Sequence, residues 1–337
     1  MPPVNLTIAT WDYDRVRPIV DGRVKVEGAE INFINVPPEE CFHRAWNYQE
    51  FDVTEIGLSG YVAAISRAEK CIPFGVSPYI AIPAFLSRSF RCSGIYIRTD
   101  RGIHTPMDLK GKKIGVPEYQ ITAAVWSRGY LHDEYGLNVE DMKWVQGGMD
   151  DPGRKDKWPN NFPPGFPITC LGEQGTLNEM FEKGELDALI CPRTPRCYRD
   201  GRTPVRRLFE NFEEVEKAYY RKSGIFPIMH AIGIRRDVYE KNPWLAVNIY
   251  QAFAQAKEIT QAELFETAAL RVGLPWVVSS ALSAQEVLGP DIFPYGVKSS
   301  RKTLQAAIRY SMEQHIALRE ISVEEMFPAA TMDEPKT

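Results

Sequence analysis

Apolar and polar residues alternate at the start of the chain, where Val4, Leu6 and Ile8 predict a first strand. Extended chain is predicted again over 23–36. Pro37 then opens a helix, because proline is tolerated in a first helical turn. The chain therefore begins with a strand, further extended chain and a helix.

The same alternation of strands and helices continues to about residue 240, and helices dominate from there on. Predicted strands lie near Val53 and at 72–85, 93–100, 112–116, 187–191 and 226–239. One predicted helix follows the strand near Val53, a second covers 121–135, and a third ends at Gly184. Three more are predicted at 243–272, 281–288 and 300–320. Residues 150–167 are rich in Pro, Gly and Asn and predict a long loop.

This order of elements predicts an α/β fold. Alternating strands and helices with short turns indicate mainly parallel sheets flanked by helices. The pattern restarts after Arg98, so we expect two lobes: lobe I from 1–98 and 228–337, with a helical C-terminal part, and lobe II from 99–227. In open α/β sheets the ligand lies beyond the carboxyl ends of the strands, which predicts a ligand cleft between the lobes.

Length, composition and charge limit the number of domains and the classes of partner that this chain can have. A chain of 337 residues with 44% hydrophobic residues is long enough for two domains. The net charge of −4 argues against nucleic acid as a partner, because that binding needs excess Lys and Arg. No apolar run approaches the ~20 residues that span a bilayer, and the first residues carry no leader pattern, so we predict no membrane partner and a cytoplasmic location. The six cysteines form no CxxC pair and are predicted to be free thiols.

Several phrases resemble known families. DLKGKKIGVP at 108–117 and EMFEKGELDALI at 179–190 are similar to phrases of type 2 periplasmic-binding proteins. Longer phrases resemble 4,5-dihydroxyphthalate decarboxylases, namely WDYDRVRPIVDGRVKVEG, PAFLSRSFRCSGIYIRTDRGI, GVPEYQITAAVWSRGYLHDEYG, SGIFPIMHAIGIRRDV and NPWLAVNIYQAFAQAK. The sequence departs from that family at Cys92, where the family tends to have histidine.

The resemblance implies a function and an assembly. Members of that family are cytoplasmic lyases of phthalate catabolism, an aromatic-compound degradation route, that use the periplasmic-binding-protein-like fold. The implied reaction removes CO2 from a hydroxylated aromatic dicarboxylate, 4,5-dihydroxyphthalate, and yields protocatechuate. A homo-oligomer is expected on the same ground.

Arginines are the candidates for binding the carboxylates of such a substrate, because a guanidinium is a planar fork that matches a carboxylate. Arg15 lies in the loop after the first strand, and Arg88 and Arg91 lie between two predicted strands. Arg193 follows the strand predicted at 187–191. The alternative for all four is an interlobe salt bridge or a solvated surface.

Three residues are candidates for proton transfer. His230 and His43 can each exchange a proton near neutral pH. Glu55, at the turn after the third strand, is a further candidate acid. A core histidine bonded to backbone is the alternative for His230, a surface role is the alternative for His43, and a capping or salt-bridge role is the alternative for Glu55.

Hydroxyl groups at two predicted turns are candidates for contact with carboxylate or catechol oxygens. Ser59 flanks the same turn as Glu55, and Tyr119 and Thr122 flank the turn that enters the helix at 121–135. Thr122 also lies at a helix N-terminus, which favours an anion.

The combined hypothesis gives the carboxylates to Arg15 and Arg88 and the proton to His230 or His43. No GxGxxG, Walker or HExxH motif is present, so no cofactor is predicted, while a divalent metal stays open. Two alternatives remain: a non-enzymatic protein that binds a small acid, and another aromatic-acid lyase on the same fold, similar to enzymes of the menaquinone pathway.

Overall fold

The computed structural model describes residues 2–69, 72 and 74–333. The strands are β1 Val4–Thr10, β2 Ala29–Asn35, β3 Val53–Gly57, β4 Tyr79–Arg88, β5 Ile95–Arg98, β6 Lys113–Val116, β7 Lys143–Gln146, β8 Ile168–Cys170, β9 Ala188–Ile190, β10 Val205–Arg207 and β11 Ile228–Arg235. The helices are α1 Arg17–Val20, α2 Pro38–Tyr48, α3 Leu58–Ser66, α4 Thr122–Tyr135, α5 Leu177–Lys183, α6 Arg196–Asp200, α7 Phe212–Ser223, α8 Arg236–Lys241, α9 Leu245–Glu263, α10 Val277–Leu288 and α11 Val297–Glu313.

The chain divides into two compact units, each built from more than one segment of the sequence. Unit 1 comprises Met1–Arg88, Gly224–Gln305 and Ile321–Thr337, and unit 2 comprises Ser89–Ser223 and Ala306–Glu320. In the prediction the chain passes between the lobes near residues 98 and 228, and the whole C-terminal part lies in lobe I. In the structure the corresponding boundaries lie after Arg88 and Ser223, and a further segment, 306–320, lies in unit 2. Residues 306–320 belong to unit 2 because Tyr310 packs against Gly129 and Trp126 of α4.

The sheet of unit 1 has the strand order β2-β1-β3-β11-β4. β1 pairs in parallel with both β2 and β3, whereas β11 runs antiparallel to β3 and to β4. The α/β prediction is confirmed, with a mixed sheet. β3 is buried except at Gly57, and every residue of α3 is buried, so this sheet and helix form the core around which the unit is built.

The pairing of β4 with β11 is interrupted by a bulge. His230 lies opposite Ser87 and Ile232 lies opposite Ile82, so residues 83–86 of β4 stand against a single residue of β11. Pro83 has no N–H to give to a ladder, which favours a bulge at this place. Its carbonyl instead accepts a hydrogen bond from the Gly296 N–H at 2.9 Å. The carbonyl of Leu86, in this bulge, accepts a hydrogen bond from the site described below.

The sheet of unit 2 has the strand order β10-β5-β9-β6-β7-β8. β6, β7, β8 and β9 run parallel, and β5 and β10 are antiparallel additions. Leu177 and Phe181 of α5 pack with Leu186 and Leu189 in the core of this unit. The sequence predicted β6, β9 and the helices beside them but not β7 or β8. The long loop predicted at 150–167 is confirmed.

Two predicted segments differ from the structure. Extended chain begins at Ala29 rather than Arg23, because residues 21–28 turn and Gly28 adopts a φ of 75°. The helix predicted over 243–272 ends at Glu263, and residues 266–276 are exposed, so no buried face supports further turns. In the part of the chain that the structure describes, no helix is long and apolar enough to cross a membrane.

Candidate functional site

A buried carboxylate and an imidazole meet on one face of the unit 1 sheet. Glu55 of β3 lies opposite Ile232 in the antiparallel ladder, two residues along β11 from His230. Residues two apart on a strand share a face, so the side chains of Glu55 and His230 are diagonal neighbours. His230 Nδ1 lies 3.0 Å from Glu55 Oε2. The ladder therefore brings together two of the three residues predicted for proton transfer.

The loop after β1 supplies two more donors to this carboxylate. The backbone N–H of Trp11 donates to Glu55 Oε1 at 2.7 Å, and the Tyr13 hydroxyl donates to Glu55 Oε2 at 3.0 Å. The Glu55 side chain is 0% exposed, and burial of a carboxylate is costly unless donors replace the lost water. Trp11, Tyr13 and His230 are those replacements.

Tyr13 is held as a neutral donor. Burial and the nearby negative charge of Glu55 raise the pKa of the Tyr13 hydroxyl well above its usual range, against an opposing effect of Arg15. Ser87, the β4 residue that pairs with His230, has a small opposing effect on the same pKa. We refer to His230, Glu55, Tyr13 and Ser87 as the His230 cluster.

His230 keeps one nitrogen for a ligand. Its Nδ1 contacts Glu55, and within residues 2–69, 72 and 74–333 its Nε2 makes no hydrogen bond. The His230 side chain is 16% exposed, and the Phe42 ring packs edge-on against it with the centroids 4.7 Å apart. A carboxylate at Nδ1 orients the ring, so that Nε2 can take up or release a proton.

Arg15 lies beside this cluster. Its guanidinium is stacked between the rings of Tyr13 and Phe293, 4.1 and 4.3 Å from their centroids. Nε and Nη2 donate to the Leu86 carbonyl, which lies in the bulge of β4, and Nη1 donates to Asp14 at 3.0 Å. One N–H on each of Nη1 and Nη2 has no acceptor among the described residues, so Arg15 can still bind an anion.

Arg88 lies in the interior of unit 1. Its Nη1 donates to the Phe226 carbonyl at 2.9 Å and its Nη2 donates to the Ser300 hydroxyl. The guanidinium also lies over the rings of Phe85 and Phe226. With 7% of its surface exposed, Arg88 ties β4 to the segments around Phe226 and Ser300.

His43 and Ser59 lie on helices of the same unit. His43 is exposed on α2, where its Nδ1 lies 3.0 Å from Asn47 Nδ2 and its ring packs on Tyr48. Successive helix residues point about 100° apart. It is therefore Phe42, and not His43, that contacts His230. Ser59 is buried in the first turn of α3.

Tyr119 of unit 2 is a core residue. Its ring packs against Trp144 and Phe162, and the Arg128 guanidinium lies 4.0 Å from its centroid. The Tyr119 hydroxyl is buried and has no hydrogen-bond partner in the described residues. The side chain predicted to contact a ligand is thus 0% exposed in this structure.

The other unit 2 candidates differ in exposure. Thr122 is the first residue of α4 and is buried. Arg91 is half-buried before a short turn of 3-10 helix, and Arg193 is exposed. Cys92, the position that departs from the family pattern, is 4% exposed, and burial raises the pKa of its thiol well above the usual range.

The turn that precedes α4 is held by the long loop. Glu118 forms ion pairs with Arg154 at 2.7 Å and with Lys157 at 3.0 Å. Gln120 receives a hydrogen bond at its carbonyl oxygen and donates two from its amide, to Trp158 and Asn160. Burial would raise the pKa of Glu118, but the ammonium of Lys157 and the guanidinium of Arg154 outweigh it and lower that pKa.

Two further points complete the site. Among residues 2–69, 72 and 74–333, no three of His, Cys, Asp and Glu are grouped as metal ligands would be. Neither Tyr13 nor Ser87 is among the site residues predicted from the sequence. The one available signal was the position of Tyr13, two residues before Arg15 in the loop after a strand.

Comparison with known proteins gives both a fold and a family. No family model matches the chain. A 4,5-dihydroxyphthalate decarboxylase from Comamonas testosteroni is 37% identical over 333 residues, 99% of both chains. One from Pseudomonas putida is 42% identical over 221 residues, 66% of this chain and 83% of the relative.

A solved structure shares the fold. The alkanesulfonate-binding protein SsuA from Xanthomonas axonopodis pv. citri, bound to MOPS, matches with a TM-score of 0.50 and 13% identity, covering 97% of this chain and 99% of its own. At that identity the likeness carries the fold alone, and it agrees with the predicted periplasmic-binding-protein fold. The relative from Comamonas testosteroni matches over nearly its whole length, and the chain belongs to the 4,5-dihydroxyphthalate decarboxylase family.

Proposed function

We propose that this protein is a carboxy-lyase that converts 4,5-dihydroxyphthalate to protocatechuate and CO2. The curated relatives named for that reaction support the substrate. The observation in the structure that carries the chemistry is the imidazole of His230, with Nδ1 held by the buried Glu55 and Nε2 open to a ligand. Arg15 is the nearby cation for a carboxylate.

The substrate itself supplies the electrons for this reaction. Each carboxylate of 4,5-dihydroxyphthalate is para to a hydroxyl group. Partial loss of the phenolic proton pushes electron density onto the ring carbon that carries the departing carboxylate. That carbon takes a proton, the bond to the carboxylate then breaks, and its electron pair restores the aromatic ring. The net reaction consumes one proton and releases one CO2.

The enzyme must therefore bring a proton to a ring carbon. We assign that step to His230, whose Nε2 can carry the proton as the imidazolium. Glu55 stabilises the imidazolium and fixes the orientation of its ring through Nδ1. The departing carboxylate leaves from the same carbon that His230 protonates.

The retained carboxylate needs a fixed cation. We assign this role to Arg15, whose remaining N–H groups are held in place by the stacking of Tyr13 and Phe293 and by Leu86. Arg88 binds groups of its own unit, and its contact with substrate stays a prediction. Contacts of the substrate with Arg91, Arg193, Ser59, Tyr119 and Thr122 also stay predictions, as do the cytoplasmic location and the homo-oligomer.

The test is turnover by the purified protein. We expect 4,5-dihydroxyphthalate to disappear with equal amounts of protocatechuate and CO2 formed, as followed by liquid chromatography and a CO2 electrode. Phthalate, which has the two carboxylates but no hydroxyl to push electrons, is the matched control and should bind without losing CO2. Binding of both compounds without any CO2 from either would instead favour a non-enzymatic acid-binding protein.

A further inference from the structure

We propose that Tyr13 is a positioning residue that links the proton-transfer group to the carboxylate-binding group, with its hydroxyl serving one and its ring serving the other. This inference rests on the proposed function. It goes beyond it because Tyr13 contacts both Glu55 and Arg15, whereas the roles of His230 and Arg15 were assigned separately.

The hydroxyl of Tyr13 belongs to the proton-transfer group. It donates to Glu55 Oε2 at 3.0 Å, the same oxygen that contacts His230 Nδ1 at 3.0 Å. Two donors thus share one carboxylate oxygen. If the tyrosine donor is removed, more of the negative charge of Glu55 falls on His230 and the imidazolium is held more tightly. A proton that is held more tightly is delivered to carbon less readily.

The ring of Tyr13 belongs to the carboxylate-binding group. The Arg15 guanidinium lies 4.1 Å from its centroid on one side and 4.3 Å from the Phe293 centroid. Such stacking limits the guanidinium to one plane and is worth about 0.5–2 kcal/mol. Phenylalanine at position 13 would keep this contact, but a branched aliphatic side chain would not.

Two adjacent residues of β4, Leu86 and Ser87, connect the proton-transfer group with the carboxylate-binding group. Ser87 pairs with His230 in the ladder, and the carbonyl of the preceding residue, Leu86, accepts from Arg15 Nε at 2.7 Å. Movement of this part of β4 would therefore disturb both groups together. Loss of the hydroxyl alone should affect proton transfer through Glu55, whereas loss of the ring should also affect carboxylate binding by Arg15.

The experiment compares Tyr13→Phe with Tyr13→Leu. For Tyr13→Phe we expect kcat to fall about tenfold, KM to stay within about twofold, and the alkaline side of the kcat–pH profile, where the imidazolium loses its proton, to move to higher pH. For Tyr13→Leu we expect the same loss of kcat and, in addition, a rise in KM of about tenfold. Tyr48→Leu, at an exposed position of α2, is the matched control and should keep the wild-type values.

A second readout does not depend on turnover. The ring of His230 is followed by NMR as a function of pH, and its titration should move to higher pH in Tyr13→Phe while circular dichroism stays unchanged. The inference is overturned if the two variants raise KM equally, or if Tyr13→Phe leaves both the kcat–pH profile and the NMR titration as in the wild type. A wild type without any turnover would reject the proposed function, and the NMR titration alone would then decide the role of the hydroxyl.

Discussion

Glu55 and Glu118 are buried carboxylates, one in each unit, and their partners differ in kind. Glu55 is met by a backbone N–H, a phenol and an imidazole. Glu118 is met by two permanent cations, Arg154 and Lys157, which lower its pKa. The two carboxylates are almost equally shielded from solvent, with side chains 0% and 7% exposed.

The difference shows how the partner decides what a buried carboxylate can do. An imidazole changes its charge near neutral pH, so the Glu55–His230 pair can exchange a proton during a reaction. A guanidinium or an ammonium keeps its charge, so the ion pairs of Glu118 fix the long loop to the turn before α4. We therefore expect substitutions at the first site to change turnover and substitutions at the second to change stability.

The largest effect is expected for His230→Gln. The amide cannot deliver a proton at neutral pH, so kcat should fall about 10²–10⁴-fold while the free energy of unfolding changes little. Turnover is measured with 4,5-dihydroxyphthalate, and unfolding with urea. His104→Gln, at an exposed position of unit 2, serves as the control. If His43→Gln abolished turnover and His230→Gln did not, the assignment of the proton donor would be wrong.

A smaller effect is expected for Glu118→Gln, and it should appear in stability. The substitution leaves two cations without their carboxylate, and we expect a loss of about 1–3 kcal/mol in the free energy of unfolding, because Arg154 and Lys157 are still partly exposed. Urea unfolding gives the measurement, and Glu213→Gln, on the exposed side of α7, gives the control. An unchanged midpoint would show that the ion pairs do not hold the loop.

The smallest effect concerns pH. The pKa of Glu118 is lower in the folded protein than its usual value, so its contribution to stability is fully present above that usual value. It is lost as the pH falls through the lowered value. The wild type should thus lose more stability than Glu118→Gln between about pH 5 and pH 3, by about 1 kcal/mol, in urea unfolding at each pH. Parallel curves for the two proteins would contradict this expectation.

The sequence predicted the parts of the fold and site that depend on local patterns. Alternation and helix signals located β1, β3, β6 and α4, and Glu55 and His230 were both selected as site residues. The pairing of β3 with β11 in the structure brings those two side chains together. β7 has charged or polar residues at both ends, Lys143 and Gln146, and β8 has three residues, so neither carries a clear apolar pattern. Strands of that kind become visible only through their neighbours in the sheet.

Contacts between distant segments could not be predicted. Glu118 and Arg154 are 36 residues apart, and no periodicity links them. The donors of Arg88 bind Phe226 and Ser300, so a candidate for substrate binding lies in the interior. The contact of the Tyr13 hydroxyl with Glu55 is a further example, since the direction of that hydroxyl depends on the conformation of the loop after β1.

The bulge of β4 has a consequence for how this family could change substrate. Arg15 is held by the carbonyl of Leu86, which lies in the segment 83–86 that stands against a single residue of β11. Pro83 withholds one N–H from the ladder. A substitution at position 83, or a deletion between 83 and 86, would change the bulge and shift the Leu86 carbonyl. The guanidinium of Arg15 would then move without a change to any residue that meets the substrate. Backbone register is therefore a second route, besides side-chain replacement, by which recognition of acids on this scaffold can evolve or be redesigned.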